Sequence, residues 1–239
     1  MLFKKLKKLL RVKLRRKQGD ENKPEINFIS DFRIKIENIL CINNNLGLIM
    51  SISITAEQFF KTWCKVAAIC ENDLVKEWHN RKTFTSLILH NDNALLKEIG
   101  DELDFKCYAY GRQGYYWIDG VLYKSEDLFP DCPKEQTWLR KIRVALEHEN
   151  DFNSNLLTEV GRLLLVNCEL RVIVTYPNKD KDWDKLKNIH NFIKTTDGSD
   201  FLSENDSFLI VFGWKNEIEK VEWEGRVFNS EDWVQLSLK

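Results

Sequence analysis

The stretch that decides the fold is Arg140-Lys-Ile-Arg-Val-Ala-Leu-Glu-His-Glu149, in a chain of 239 residues. Ile142, Val144 and Leu146 alternate with polar or small residues, and this period of two predicts a β-strand. It is the strongest strand pattern in the chain, and two acidic residues end it. The other elements are therefore placed by working outward from this strand.

A helix and a second strand are predicted directly after it. Asn153 or Ser154 can cap the helix. Its buried face has helical spacing and comprises Leu156, Leu157, Val160, Leu163 and Leu164. Leu170–Tyr176 is a mostly apolar run, which is typical of a strand in the interior of a sheet.

Upstream, the pattern changes from helices to strands. Thr55 followed by Glu57-Gln58 predicts the start of a helix that ends near Glu71, and a second helix covers about 72–80. A third follows Asn91 or Asn93. The period then becomes two, which predicts strands over 105–110 and 115–123, joined by a turn at Gly111 and Gly114. Downstream, we expect a helix over 182–195, a strand over 208–214 and a hairpin strand over 221–228.

These elements predict one α/β domain over residues 50–239, with a central mixed sheet and flanking helices. Residues 1–49 form a separate basic and polar N-terminal extension. Nine bases and no acid lie in residues 1–19, so the net charge of −1 hides an acidic body of 27 bases against 37 acids. We interpret the arm as a solvated extension; binding to an anionic membrane or to nucleic acid is the alternative. Met50 is also a candidate natural start, which would leave 1–49 unmade.

Composition excludes several classes of protein. A charged fraction of 31% without a long apolar run excludes a transmembrane span. The six cysteines form no CxxC pair, which favours buried thiols in a reducing cytoplasm over disulfides or a zinc site. We interpret the eight tryptophans as core packing and not as a platform for bases.

Three acids stand where the strand patterns favour apolar residues. Glu147 and Glu149 share one face of their strand, roughly 7 Å apart, whereas His148 points the other way. Asp119 ends the earlier strand and would join them if the two strands are neighbours. Converging carboxylates repel one another unless a cation lies among them, which points to Mg²⁺ or Mn²⁺. Alternatively, Asp119-Gly120 forms a two-residue hairpin turn and the two glutamates are simply solvated.

The element order resembles that of the restriction-endonuclease-like, or PD-(D/E)XK, nuclease superfamily. Tyr116-Trp-Ile-Asp119-Gly-Val-Leu-Tyr123 resembles the strand with that family's metal-binding aspartate. Val144-Ala-Leu-Glu147-His-Glu149-Asn150 resembles the next strand, with its acid-x-lysine element. The helix around Glu159 and the strand Leu170–Tyr176 match the helix and strand that come next in the family. The resemblance covers about residues 91–177 and implies a core in the order αβββαβ.

The resemblance implies that Asp119 and Glu147 bind the divalent ion. The ion would hold the scissile phosphate and lower the pKa of an attacking water. Glu149 stands where the family usually has lysine, so it would act as a general base or as a ligand of a second ion. Glu98 or Glu102 could add an outer ligand, and Glu159 could support the site. The alternatives are a solvated helix flank for Glu98 and Glu102 and an ion pair with Arg162 or Arg143 for Glu159.

The predicted function is a divalent-metal-dependent nuclease in the cytoplasm that hydrolyses phosphodiester bonds, with DNA favoured over RNA. Two basic clusters are candidate phosphate contacts: Arg140, Lys141 and Arg143, and Lys179, Lys181, Lys185 and Lys187. The alternative function is a non-catalytic interaction protein on a degenerate nuclease-like fold. We also interpret His148 as packed or hydrogen-bonded, and not as catalytic.

Overall fold

The computed structural model describes residues 53–109, 115–130, 137–152, 156–177 and 183–237, all of which belong to one compact unit. The predicted extension 1–49, its basic arm and the alternative start at Met50 lie outside these residues. The predicted turn at Gly111 and Gly114 and the predicted helix cap at Asn153 or Ser154 also lie outside them.

Seven strands form one mixed sheet, and their order across the sheet is their order along the chain. β3, β4 and β5 run parallel, and every other neighbouring pair is antiparallel. The strands are β1 (Lys106–Tyr108), β2 (Gly120–Tyr123), β3 (Ile142–Glu149), β4 (Cys168–Thr175), β5 (Phe208–Lys215), β6 (Val221–Phe228) and β7 (Trp233–Gln235). The predicted α/β class with a central mixed sheet is confirmed.

The described helices are α1 (Ala56–Ile69), α2 (Glu71–Glu77), α3 (Arg81–Leu89), α4 (Leu95–Glu102), α5 (Leu156–Leu165), α6 (Trp183–Lys194) and α7 (Ser199–Glu204). α1 begins at the predicted capping box, in which the Thr55 side chain accepts from the backbone of Gln58 and the Gln58 side chain accepts from the backbone of Thr55. None of the described helices is both long and apolar enough to cross a membrane.

The helices cover the two faces of the sheet in two groups. α1–α4 pack against the face that carries Val144 and Leu146 of β3, and α5–α7 pack against the face that carries Ala145. Because side chains alternate along a strand, Glu147 and Glu149 point to the α5 side. α1 also contacts a strand that is distant in sequence: the ring of Trp63 lies 5.2 Å from the ring of Trp223 of β6, edge to face.

The predicted extended run 115–123 is wrong over its first half. Tyr115 and Ile118 pair with each other around a two-residue turn formed by Tyr116 and Trp117, both of which have positive φ. β2 begins only at Gly120. The alternative of an Asp119-Gly120 turn is also wrong, since Gly120 lies in β2 opposite Leu146. Gly120 is needed for packing, because a Cβ there would lie 2.3 Å from Leu96 Cδ2.

Candidate active site

Asp119 and Glu147 face each other on adjacent strands. The β2–β3 register, which pairs Gly120 with Leu146, continues to bring Asp119 opposite Glu147. Directly opposed residues have Cβ atoms about 4.5–5.5 Å apart. The carboxyl group of Glu147 hydrogen-bonds with that of Asp119, whose Oδ2 also accepts from the backbone N–H of His148 at 2.9 Å. The predicted neighbourhood of these two acids is therefore present.

Glu147 is the most deeply buried acid of the site. Glu147 is only 1% exposed, and its Oε1 atom has no hydrogen-bond partner among the described residues. Burial, then the charges of Asp119 and Glu159, raise the pKa of Glu147 to about 9. At neutral pH the metal-free protein therefore holds a proton on Glu147, which it can donate to Asp119.

α5 brings a third acid to the same face. Burial and the charges of Asp119 and Glu149 raise the pKa of Glu159, although Arg162 acts in the opposite direction. Glu159 Oε2 lies 2.6 Å from Arg162 Nη1, so the predicted ion pair is present while Glu159 also belongs to the acidic group. The charge of Arg162 reaches Glu147 too, and lowers its pKa.

Glu149 lies at the edge of this group, at the end of β3. Its Oε1 accepts from the backbone N–H of Asp151 at 2.9 Å. The parallel β3–β4 register pairs Glu149 with Thr175, whose buried Oγ1 has no hydrogen-bond partner among the described residues. Thr175 was not among the residues predicted for the site. The signal was a hydroxyl residue near the end of an otherwise mostly apolar strand.

His148 lies on the opposite face, as its position in the strand predicts. Its Nε2 is 2.7 Å from Tyr176 Oη, and its ring stacks with Phe84 at 6.2 Å between centroids. Burial, followed by the charge of His90, lowers the pKa of His148 to about 3. The predicted packed and hydrogen-bonded histidine is confirmed, and its ring remains neutral.

Glu98 and Glu102 do not join the site. They lie on α4, which packs against the other face of the sheet. Glu102 pairs with Lys65 at 2.5 Å, and Glu98 lies 3.9 Å from Lys97. Both line a cleft between α1 and α4 that includes Cys70. Local sequence placed both on a helix flank, but it did not show which face of the sheet that helix would cover.

The basic side chains of the first predicted cluster of phosphate contacts form hydrogen bonds and ion pairs with other residues of the protein. The Arg143 guanidinium donates to Asp127 at 2.7 Å and to Glu169 at 2.8 Å, and Lys141 also pairs with Glu169. Arg140 donates to the backbone carbonyl of residue 126. These contacts lie towards the start of β3, away from Glu147. Of the second cluster, residues 179 and 181 lie outside the described part of the chain.

A pair of exposed aromatic residues precedes Asp119. Tyr116 is 66% exposed and Trp117 is 74% exposed, at the tip of the two-residue turn. Their φ angles of 50° and 72° are left-handed and cost roughly 1–2 kcal/mol per residue without glycine. The prediction that the tryptophans serve only core packing is therefore wrong for Trp117. Aromatic residues favour strands, so the sequence pattern predicted a strand where the structure has this turn.

The donor set fits a hard divalent cation in one specific way. Among the described residues, no group of three or more His, Cys, Asp or Glu side chains is arranged to hold a metal ion. Mg²⁺, however, keeps several waters and is usually bound by one or two carboxylates together with substrate phosphates. Asp119 and Glu147 supply such a pair. The Oε1 atom of Glu147, which has no hydrogen-bond partner among the described residues, is the oxygen of this pair that is free to act as a metal ligand.

Comparison of the chain with protein-family models, with curated proteins and with solved structures gave no match. The chemistry of the site therefore carries the functional argument. Four acids meet on one face of the sheet, near the carboxyl end of β3, with Arg162 as a neighbouring cation. Within this group, the pair Asp119 and Glu147 can offer oxygen atoms to a cation, and a neighbouring carboxylate can accept a proton from a water.

Proposed function

We propose that the chain is a divalent-metal-dependent nuclease that hydrolyses phosphodiester bonds of nucleic acid, with Asp119 and Glu147 as the ligands of Mg²⁺ or Mn²⁺. The observation that carries the proposal is the buried carboxyl group of Glu147, whose Oε1 has no partner within the described residues. A buried polar atom without a hydrogen-bond partner is costly. The other buried acids of the described residues are paired: Asp127 and Glu169 both bind Arg143.

The order of elements supports the same proposal. α4, β1, β2, β3, α5 and β4 follow one another along the chain. This is the order αβββαβ implied by the resemblance to the restriction-endonuclease-like superfamily, with Asp119 just before β2 and Glu147 on β3. We therefore propose that residues 91–177 are a core of that type.

The residues of the site have distinct roles in the proposed reaction. A bound divalent ion would stabilise the charge on the scissile phosphate and lower the pKa of an attacking water. The backbone N–H of His148 fixes the Asp119 carboxylate as a ligand. Glu149, which is half-buried at the edge of the site, accepts the proton of the water as general base. Arg162 supplies the positive charge that the family usually takes from a lysine at the position of Glu149.

DNA is the proposed substrate, in preference to RNA. A second candidate function is a non-catalytic interaction protein on the same fold. The glutamate at position 149 favours it, because a carboxylate cannot supply the positive charge of the usual lysine. The two candidates differ in their response to divalent ions. Only a metal site gains thermal stability as Mn²⁺ is added.

The direct experiment incubates plasmid DNA with the purified protein in MgCl₂ or MnCl₂. We expect cleavage by the wild type, loss of cleavage in Glu147→Gln, and full cleavage by the matched control Glu98→Gln on the other face of the sheet. Cleavage by Glu147→Gln at the wild-type rate would overturn the proposal. A wild type that neither cleaves DNA nor gains stability from Mn²⁺ would favour the non-catalytic protein.

The thiols are consistent with the proposed cytoplasmic site of action. Four described cysteines are free: Cys64, Cys70, Cys107 and Cys168. Burial raises the pKa of the Cys64 and Cys107 thiols to about 12, which keeps them protonated and unreactive. Such thiols persist in a reducing compartment, and we propose that the protein works in one.

A further inference from the structure

We propose that the tip formed by Tyr116 and Trp117 stacks on an unpaired nucleobase next to the phosphodiester bond that the site cleaves. This inference rests on the proposed function and assigns to it a surface that binds the substrate. The two side chains are among the most exposed large apolar groups of the described residues. They stand on a left-handed turn that glycine or asparagine would form at lower cost.

The base of the turn is held firmly, so the tip is presented rigidly. Tyr115 N–H donates to the Ile118 carbonyl at 2.7 Å, and Ile118 N–H donates back to the Tyr115 carbonyl at 3.0 Å. Tyr115 Oη also accepts from the backbone N–H of Leu139 at 2.9 Å. Tyr115 and Ile118 are both buried in the core on the α5 side of the sheet. A preorganised aromatic surface loses little conformational entropy when a ligand binds.

The tip is close to the proposed ligands of the ion. Two peptide units separate Trp117 from Asp119, so their Cα atoms lie no more than about 7.6 Å apart. The buried residues that support the tip belong to the same core as Ala145, the neighbour of Glu147 on that face. A ring that stacks on Trp117 would therefore belong to a nucleotide at or beside the bound phosphate.

A nucleobase fits this surface better than the other ligands of exposed aromatic residues. Every base has a flat π face, and aromatic side chains bind it without regard to sequence. A protein partner would need about 800 Å² on each side, far more than two side chains supply. The base must be unpaired, because a duplex hides its faces in the stack.

Fluorescence anisotropy of a fluorescein-labelled single-stranded oligonucleotide tests the inference. Ca²⁺ replaces Mg²⁺ so that binding is measured without cleavage. The variant Trp117→Asn removes the ring while favouring the left-handed turn, and Trp117→Phe keeps a ring. The matched control is Phe201→Ala: Phe201 is 55% exposed on α7. α7 leads into the start of β5, at the end of the parallel strands remote from Glu149.

We expect Trp117→Asn to raise Kd by about 5-fold to 150-fold, the range for one stacked base. Trp117→Phe and Phe201→Ala should stay within about 3-fold of the wild type. The effect of Trp117→Asn should vanish on an oligonucleotide in which the contacted position is abasic.

The outcomes separate this inference from the proposed function. Glu147-dependent cleavage combined with an unchanged Kd in Trp117→Asn overturns the stacking and leaves the nuclease standing. Binding that depends on Trp117 without any cleavage supports the stacking and overturns the nuclease. A wild type that binds no oligonucleotide overturns the stacking. An equal loss of affinity in Phe201→Ala would also overturn it, since the effect would then not belong to the tip.

Discussion

The proton on Glu147 makes the stability of the metal-free protein depend on pH in a specific way. The pKa of this carboxyl group is about 9 in the folded protein, whereas its ordinary value, which we take for the unfolded chain, is 4.5. A group whose pKa rises on folding contributes its full stability below the unfolded value and loses it as the pH rises toward the folded value. The loss therefore falls between pH 4.5 and about 9.

The change Glu147→Gln replaces the protonated acid by a neutral amide of nearly the same shape, which can still donate to Asp119. It removes the pH-dependent loss. Each pH unit in the window is worth ~1.4 kcal/mol, so from pH 6 to pH 8 the variant gains up to ~2.7 kcal/mol on the wild type. For a domain of this size that gain corresponds to roughly 5–11 °C in Tm.

The assay is urea unfolding of both proteins in EDTA at pH 6, 7 and 8, with Glu98→Gln as the control. We expect the free energies of unfolding of Glu147→Gln and wild type to diverge steadily with pH, while Glu98→Gln follows the wild type within ~0.5 kcal/mol. A constant difference across the three pH values would refute the argument that Glu147 is buried with its proton. At pH 8, Mn²⁺ at 100 times its Kd should return ~2.7 kcal/mol to the wild type and nothing to the variant.

Three further predictions concern the fold around the site. Arg143→Met leaves two buried carboxylates without their shared cation, so it should lower the free energy of unfolding in urea by ~3 kcal/mol. The control Lys97→Met breaks an exposed ion pair and should lower it by less than ~0.5 kcal/mol. Gly120→Ala should destabilise the protein by ~1–3 kcal/mol, because its new methyl group overlaps a leucine of α4; an unchanged Tm would contradict this packing. Gly161→Ala should stabilise the protein by ~0.5–1 kcal/mol, because a Cβ there meets nothing within 4 Å in the middle of α5; thermal unfolding of both glycine variants side by side tests the contrast.

The sequence predicted the elements whose hydrophobic period was long and unbroken. β3, α5 and β4 lie where the alternation and the helical stripe placed them, and α1 begins at its capping box. The turn at Tyr116 and Trp117 was not predicted, because both residues favour strands and neither is a glycine, the residue typical of a left-handed backbone. Gly120 misled the prediction, since a turn glycine and a packing glycine look alike in sequence.

The site was predictable to the extent that it depends on register. Strand periodicity placed Glu147 and Glu149 on one face, and neighbouring strands then brought Asp119 opposite Glu147. Glu98 was not predictable in this way, because its place depends on which face of the sheet α4 covers. The pairing of Arg143 with Asp127 was also hidden, since it requires the turn at Ser125–Asp127 to fold back towards β3.

The packing of α1 on β6 has a consequence for the growing chain on the ribosome. Neighbouring strands of the sheet are also neighbours in sequence, whereas Trp63 and Phe60 of α1 contact Trp223 and Gly225 of β6, which are made about 160 residues later. At ~5–20 residues per second, that interval lasts roughly 8–32 s. Until then the aromatic face of α1 lacks its β6 contacts. Nascent chains that stop before residue 221 should therefore bind chaperones through α1, and release should follow completion of β6.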